Sequence, residues 1–305
     1  MAETKLVVVT GGEGFIGRDV RSVLLSGGDD VISLDRQNGR QSFGGLSLEC
    51  DITDGQRVEE IFASMSRQVY GIAHLASTLR TASERDPKQA TEVNILGSLN
   101  VLEAARKFGV ARVVFASSIS IYGSKGTQDD VSETDYTAPE DMYGAAKKYI
   151  EVLGNTYSHK FGIQFVSMRI PIVVGSGPGT ATSAWRTDLL NALREARESQ
   201  IVIPFAEDET LSIVHVEDLA NAFATLSNAE SIGHSVYNAP CEVWHLSQLK
   251  REIEALNPQV RVSFGDRVVS GFPRRLNCDR FKSEFGCVPN LSGHLRRAAQ
   301  VKVQT

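Results

Sequence analysis

Cysteine is scarce in this chain: only Cys50, Cys241, Cys278 and Cys287 occur among 305 residues. None forms a Cys-x-x-Cys pair or a zinc-ligand spacing, so a disulfide scaffold and a metal site are set aside. The four read as buried reduced thiols, which fits a cytoplasmic protein. Long apolar runs are also missing. No stretch reaches the about 18 residues of a spanning helix, and the chain enters a core strand almost at once, so neither membrane anchor nor signal peptide is expected. Extended basic runs are absent and the formal net charge is -5, which argues against nucleic acid or an anionic membrane as partner. No internal repeat or low-complexity tract is visible. What remains, with 42% hydrophobic and 23% charged residues, is a globular chain that can bury one large core or two smaller ones and bind a small molecule.

The apolar run Lys5-Leu6-Val7-Val8-Val9 flows into Thr10-Gly11-Gly12-Glu13-Gly14-Phe15-Ile16-Gly17 and then into helical spacing at Ile16, Val20, Val23 and Leu24. Strand, glycine turn and helix in that order form a phosphate cradle, because glycines allow a tight turn and let backbone N–H groups approach a pyrophosphate. Two phasings coexist, Gly12-x-Gly14-x-x-Gly17 and Gly11-x-x-Gly14-x-x-Gly17. The next strand, Val31 to Leu34, ends in Asp35, about 20 residues past the turn, where an acid accepts from a ribose hydroxyl. That carboxylate repels an extra phosphate and so favours NAD over NADP, with Arg36 beside it partly opposing the preference.

Further strands are expected over Leu46 to Cys50, Gly71 to Ser77 and Arg112 to Ser118, alternating with helices that begin at an Asp54 cap and at Thr91 to Lys107. Such alternation predicts an α/β fold with a doubly wound parallel sheet, whose ligands sit at the C-terminal strand ends. Ser118 falls at one of those ends. His74, within an apolar strand, reads as a hydrogen-bonded core residue. Tyr143 and Lys147 lie four apart on one helix face. A neighbouring ammonium favours the phenolate of the tyrosine and brings it toward acid–base use, while Ser118 could hold the reacting oxygen. A Tyr-x-x-x-Lys pair alone is a common exposed motif; together with the glycine turn, Asp35 and a strand-end serine it points to chemistry.

These motifs, with Asp51-Ile52, His74-Leu75-Ala76, Asn94-Ile95-Leu96-Gly97, Ser117-Ser118-Ile119-Ser120-Ile121-Tyr122-Gly123 and His215-Val216-Glu217-Asp218-Leu219-Ala220, make most of the chain resemble the extended short-chain dehydrogenase/reductases. Within them it is most similar to the NAD-dependent epimerase/dehydratase group typified by UDP-galactose 4-epimerase. The resemblance implies a Rossmann domain over residues 1–174, also receiving about 210–238, and a small discontinuous substrate lobe from 175–209 and 239–305. It implies Ser118, Tyr143 and Lys147 as catalytic residues. Its NAD site takes in Gly11, Gly14, Phe15, Ile16, Gly17, Asp35, Arg36, Asp51, Ile52, Leu75, Ala76, Ser77, Asn94, Ala116, Tyr143 and Lys147. Thr78, Ser118, Ser120 and Arg186 would face the substrate. A homodimer would form through Thr91 to Phe108 and Tyr143 to Tyr157. His215 is implied to be structural.

Departures from the group narrow the reaction. Its dehydratases carry Asp-Glu where this chain has Ile119-Ser120, so elimination of water is not expected. Its nucleotide-sugar epimerases carry Asn and Arg where this chain has Ile172 and Leu211, and an aliphatic side chain cannot donate to phosphate. A diphosphate-linked sugar would then need Arg186, Arg194, Arg274 or Arg275 as a substitute. The expected activity is NAD-dependent hydride transfer at a secondary alcohol of a sugar-like or polyhydroxy-acid substrate. The alternatives are a nucleotide-sugar 4-epimerase and a non-catalytic NAD-binding regulatory protein. Gly175 to Thr180 reads as a loop entering a helix from Ala184 to Glu198. Trp244 is assigned to the core, and Trp185 to either core or sugar site.

Overall fold

A computed structural model of the protein describes residues 4–37, 45–124, 130–176, 184–195 and 198–300. The expected strands assemble into a seven-stranded sheet. In chain order these are β1 (Leu6–Thr10), β2 (Asp30–Asp35), β3 (Leu46–Glu49), β4 (Gly71–His74), β5 (Arg112–Ser118), β6 (Gln164–Ile170) and β10 (Val236–Asn238). The spatial order is β10-β6-β5-β4-β1-β2-β3, and every pairing is parallel. The order reverses between β1 and β4, which opens a crevice at the strand ends. Both faces are covered, so the central strands β1, β4 and β5 are buried throughout. Helices α1 (Phe15–Ser26) and α8 (Val216–Asn228) pack one face around Val7, Val20, Leu24 and Phe223. Helices α2 (Gly55–Ser64), α5 (Ser98–Lys107) and α6 (Met142–Phe161) pack the other around Val8, Ile61, Leu102 and Phe115. Asp54 caps α2 as expected, accepting from the Arg57 amide at 2.9 Å.

A further core lies beside this sheet. Strands β7 (Ile172–Val174), β9 (Thr210–His215) and β11 (Glu242–His245) form a second sheet; β8 (Ser199–Phe205) and β12 (Val260–Arg267) form a third. Helices α7 (Ala184–Arg194), α9 (Leu246–Leu256) and α11 (Leu291–Gln300) close over it. Ile172 and Leu211 belong to this core, together with Trp185 and Leu190.

Several element bounds differ from expectation, each for a local reason. The strand expected to reach Ser77 stops at His74, because the Leu75 and Ala76 amides turn back to the Thr10 hydroxyl at 3.2 and 3.3 Å. The strand expected to reach Cys50 stops at Glu49. The helix expected from Thr91 to Lys107 is three pieces: α4 (Pro87–Thr91), a π-helical turn (Glu92–Gly97) and α5. The extra residue in that turn carries Asn94, whose side chain is committed to the chain at Ser77 and Thr78. The helix expected to reach Glu198 ends at Arg194, and β8 begins at Ser199. Of the loop expected over Gly175 to Thr180, residues 177–180 lie outside the described residues.

Candidate active site

The glycine turn is held in a narrow geometry. Gly11 has φ +70°, and a Cβ there would lie 2.8 Å from the Ala76 amide nitrogen. At Gly17 a Cβ would overlap the Gly11 carbonyl oxygen and come within 2.7 Å of the Gly12 Cα. Gly14 is the cap of α1, no side chain bonds the first amides of that helix, and its first turn carries no acid. Those orphan donors and the positive end of the helix dipole fit an anionic pyrophosphate. Asp35 ends β2 beside the turn, where its carboxylate accepts the Glu13 amide at 3.1 Å and the Gln37 amide at 3.3 Å. Glu13 turns inward, paired with the buried Arg21 and accepting from the Ser33 and Ser47 hydroxyls at 2.9 and 3.0 Å. The cradle fits NAD: a Cβ-free approach and helix-end amides, with an acid at the end of β2 beside the turn.

Across the crevice the ends of β1, β4 and the π-helical turn are joined by one chain of buried bonds. Thr10 Oγ1 lies 2.7 Å from His74 Nδ1, and His74 Nε2 lies 2.9 Å from Ser98 Oγ, which donates to the Asn94 carbonyl at 2.8 Å. Burial, reinforced by the charge of Lys147, pushes His74 down to about 3, so the imidazole stays neutral. It is a core residue. Asn94 Oδ1 accepts from the Thr78 amide at 2.8 Å and the Ser77 hydroxyl at 3.0 Å, and its Nδ2 donates to the Thr78 carbonyl at 2.9 Å. Ser77, Thr78 and Asn94 thus form one unit. Ile52 is buried against Gly97, whose Cβ would lie 2.7 Å from it. Asp51 accepts from Thr53 at 2.8 and 2.9 Å. Ala116 is buried in β5, whereas Arg36 is exposed beyond Asp35.

Ser118 ends β5, and Tyr143 and Lys147 stand on the first turns of α6, which Asp141 caps through the Gly144 amide at 2.7 Å. Ser118 faces Tyr143 and favours its ionised form. The Ser118 oxygen also accepts the Ser120 amide at 3.2 Å, which leaves its hydroxyl to donate. Lys147 is buried, with Nζ 5.5 Å from the Tyr143 ring centre and 4.8 Å from that of Phe115. The electrostatics differ from expectation. Burial pushes Tyr143 up to about 12, and the groups that pull it back are Ser118 and Arg186, with Asp141 pushing the other way. Burial also pushes Lys147 down to about 7, and no carboxylate among the described residues pairs with it. Desolvation, which a sequence pattern does not weigh, is the largest effect on both groups.

Of the four arginines that could replace a lost phosphate contact, two are paired, and Arg186 and Arg194 each keep a buried Nε without a hydrogen-bond partner among the described residues. Arg274 is spent on Glu209 at 2.7 and 3.0 Å, and Arg275 on Asp130 at 2.8 Å. Arg194 bears on His215, which is pushed down to about 3 by burial and then by His294, and stacks on His294 at 3.6 Å. Arg186 alone bears on Tyr143. Its Nε is buried without a hydrogen-bond partner among the described residues, and burial lowers its pKa. Trp185 is a core residue edge-on to Phe205, and Trp244 is half-buried with its indole N–H on Glu242 at 2.9 Å.

Other polar groups around the site escaped the motif reading. Glu151, one turn beyond Lys147, accepts from Ser117 at 2.7 Å and from Arg169 at 2.9 and 3.0 Å, tying α6 to β5 and β6. The signal was a lone arginine in the apolar strand Gln164–Ile170, since a buried charge requires a partner. Arg80, at the start of α3 (Arg80–Arg85), lies 2.9 Å from Asp141, and nothing in its own segment announces this.

A model of the NAD-dependent epimerase/dehydratase family matches residues 7–239. The chain is 26% identical to the mitochondrial L-threonine 3-dehydrogenase of Bos taurus over 272 residues, covering 86% of this chain and 71% of that protein. It is 28% identical to the D-erythronate dehydrogenase of Haemophilus influenzae over 208 residues, 66% of this chain and 65% of that one. The solved complex of Thermus thermophilus UDP-glucose 4-epimerase with NAD superposes with a TM-score of 0.79 at 25% identity, covering 97% of this chain and 98% of that one.

Proposed function

The chain belongs to the NAD-dependent epimerase/dehydratase family, and from that premise we propose that it is a dehydrogenase oxidising a secondary alcohol of a small hydroxy acid, with Arg186 taking the substrate carboxylate. The observation that carries this reading is the buried Arg186 nitrogen without a partner, in a guanidinium that bears on Tyr143. A buried cation of this kind is matched by an anionic group brought in by the ligand. The relatives named for threonine and erythronate act on hydroxy acids, in keeping with that group being a carboxylate. Ile172 and Leu211, locked in the second core, offer a diphosphate nothing.

Bound NAD supplies the hydride acceptor. Tyr143, as phenolate, takes the proton of the substrate hydroxyl while Ser118 donates to that oxygen and holds it within reach. Lys147 and Asn94 keep the tyrosine and the chain at Ser77 and Thr78 in place. Residues 175–209 and 239–305 supply the substrate side, and Thr78 and Ser120 line it. Leu96, Met142, Tyr149 and Val152, exposed on the π-helical turn and α6, form the face that a second copy would cover. The competing reading, a nucleotide-sugar 4-epimerase, is kept by the likeness to the Thermus enzyme.

A panel of hydroxy acids, neutral polyols and UDP-sugars offered with NAD separates these readings. Accumulating NADH with hydroxy acids is the expected result, and isomerisation of a UDP-sugar without net NADH would replace this reading by the epimerase. Arg186→Gln should raise KM for the acids roughly 100-fold, from the loss of a charge-assisted pair worth about 1.5–3 kcal/mol, and leave neutral alcohols nearly unchanged.

A further inference from the structure

Two anions compete for the N-terminus of α6. Asp141 caps it, with Oδ1 on the Gly144 amide at 2.7 Å, and Tyr143 two residues on must become a phenolate to accept a proton. The Asp141 carboxylate opposes that ionisation. Its second oxygen, Oδ2, faces Arg80 Nε at 2.9 Å; the Asp141 side chain is 7% exposed and that of Arg80 39%.

Arg80 is held there from several sides. It reaches Glu84 at 3.4 Å and the Ser270 carbonyl at 3.4 Å. The chain beyond Ser270 crosses directly over it: Gly271 has φ +78°, and a Cβ there would lie 2.8 Å from both terminal guanidinium nitrogens. The same stretch is bonded to Ser124, which donates to Glu140 Oε2 at 3.0 Å. A glycine, a carbonyl and the helix cap thus fix a cation next to the one carboxylate that works against Tyr143.

We propose that Arg80 is a positioning residue that sets the proton affinity of Tyr143 through Asp141, letting a carboxylate cap the catalytic helix without suppressing the phenolate. The inference rests on the reading of Tyr143 as proton acceptor. The other groups facing the tyrosine are Ser118 from β5, Arg186 from α7 and Lys147 from α6. Around Asp141 stand Arg80 and Glu84 from α3, with Glu140 adjacent in the chain. Glu92 of the π-helical turn is paired with Lys88, and His74 is neutral. Arg80 acts at second hand, so its loss is felt as an uncompensated Asp141 charge.

The test isolates one phenol. Difluorotyrosine is incorporated at position 143 of the full chain, and its fluorine resonance is followed against pH without cofactor. Arg80→Gln should move the midpoint upward by about half a pH unit, an effect tempered by the exposure of the arginine. Arg80→Lys should restore most of it. Asp141→Asn, which keeps the cap, should move the midpoint down, and in that background Arg80→Gln should do nothing. With ordinary Tyr143, the acidic limb of kcat/KM should move in the same direction. An unmoved midpoint in Arg80→Gln, or an equal shift with and without the Asp141 charge, overturns the proposal. A moved midpoint beside an unmoved rate profile upholds the action of Arg80 and removes Tyr143 from the chemistry.

Discussion

Around the glycine turn the polar side chains are already engaged with one another, whereas across the crevice Arg186 carries a buried nitrogen that nothing in the described protein satisfies. Glu13 has Arg21, Ser33 and Ser47; Asp35 has two backbone amides; Asn94 has Ser77 and Thr78. On the cofactor side the carboxylates and the Asn94 amide are engaged within the protein, and the first amides of α1 carry no side-chain partner. On the facing side, the proposed function gives the Arg186 guanidinium an anionic partner on the substrate. A preformed cradle accepts the same cofactor in many relatives, while the unsatisfied group opposite can distinguish substrates, because leaving it unpaired is costly.

The cradle side should be the harder to disturb without total loss. Gly17→Ala puts a methyl group onto the backbone of Gly11 and Gly12, neither of which can yield like the end of a flexible side chain. We expect NAD affinity to fall by at least about 100-fold, near 3 kcal/mol, as read by calorimetric titration. Binding within a few-fold of the wild type would mean that the turn is softer than the contrast requires.

How far these two sides were legible in the sequence follows from how local each is. The glycine turn, Asp35 at its expected distance, and Tyr143 with Lys147 on one helix are short-range patterns, and they landed where elementary geometry puts them. The parallel, doubly wound sheet followed from the alternation of strands and helices. What stayed hidden depends on distant segments. The π-helical turn carries Asn94, whose side chain is bonded to the distant Ser77 and Thr78. The fate of four arginines was decided by Glu209, Asp130, His215 and Tyr143, none of them adjacent in sequence. Burial has the same character: desolvation is the largest effect on both Tyr143 and Lys147, and no spacing rule registers it.

Lys147 lies on the side of Tyr143, buried with no acid among the described residues to pair with. Its ammonium is pushed from 10.5 down to about 7. An unfolded chain holds that proton up to the higher value, so the cost to the folded state is fully present below about pH 7 and disappears as pH rises toward 10.5. Lys147→Met should therefore abolish turnover and yet raise the melting temperature of cofactor-free protein, by roughly 5 °C near pH 7. The gap should close as the pH is raised. A variant that melts lower at every pH would show that the contacts with Phe115 and Tyr143 outweigh the desolvation.

Asp35 gives the smallest expected effect, because it serves the cradle in two ways that a single change separates. Its oxygens hold the Glu13 and Gln37 amides, and the family resemblance implies that its charge would repel a second phosphate on the ribose. Asp35→Asn keeps an acceptor for the Glu13 amide and removes the charge. NAD affinity should then drop only about tenfold while discrimination against NADP falls by a larger factor, since repulsion of a phosphate is lost outright and the hydroxyl contact only in part. Arg36, exposed beside it, becomes free to favour the extra phosphate. Calorimetric titration of both cofactors measures the two numbers directly. An unchanged NADP to NAD ratio would reduce Asp35 to a brace for the turn and place the choice of cofactor elsewhere in the cradle.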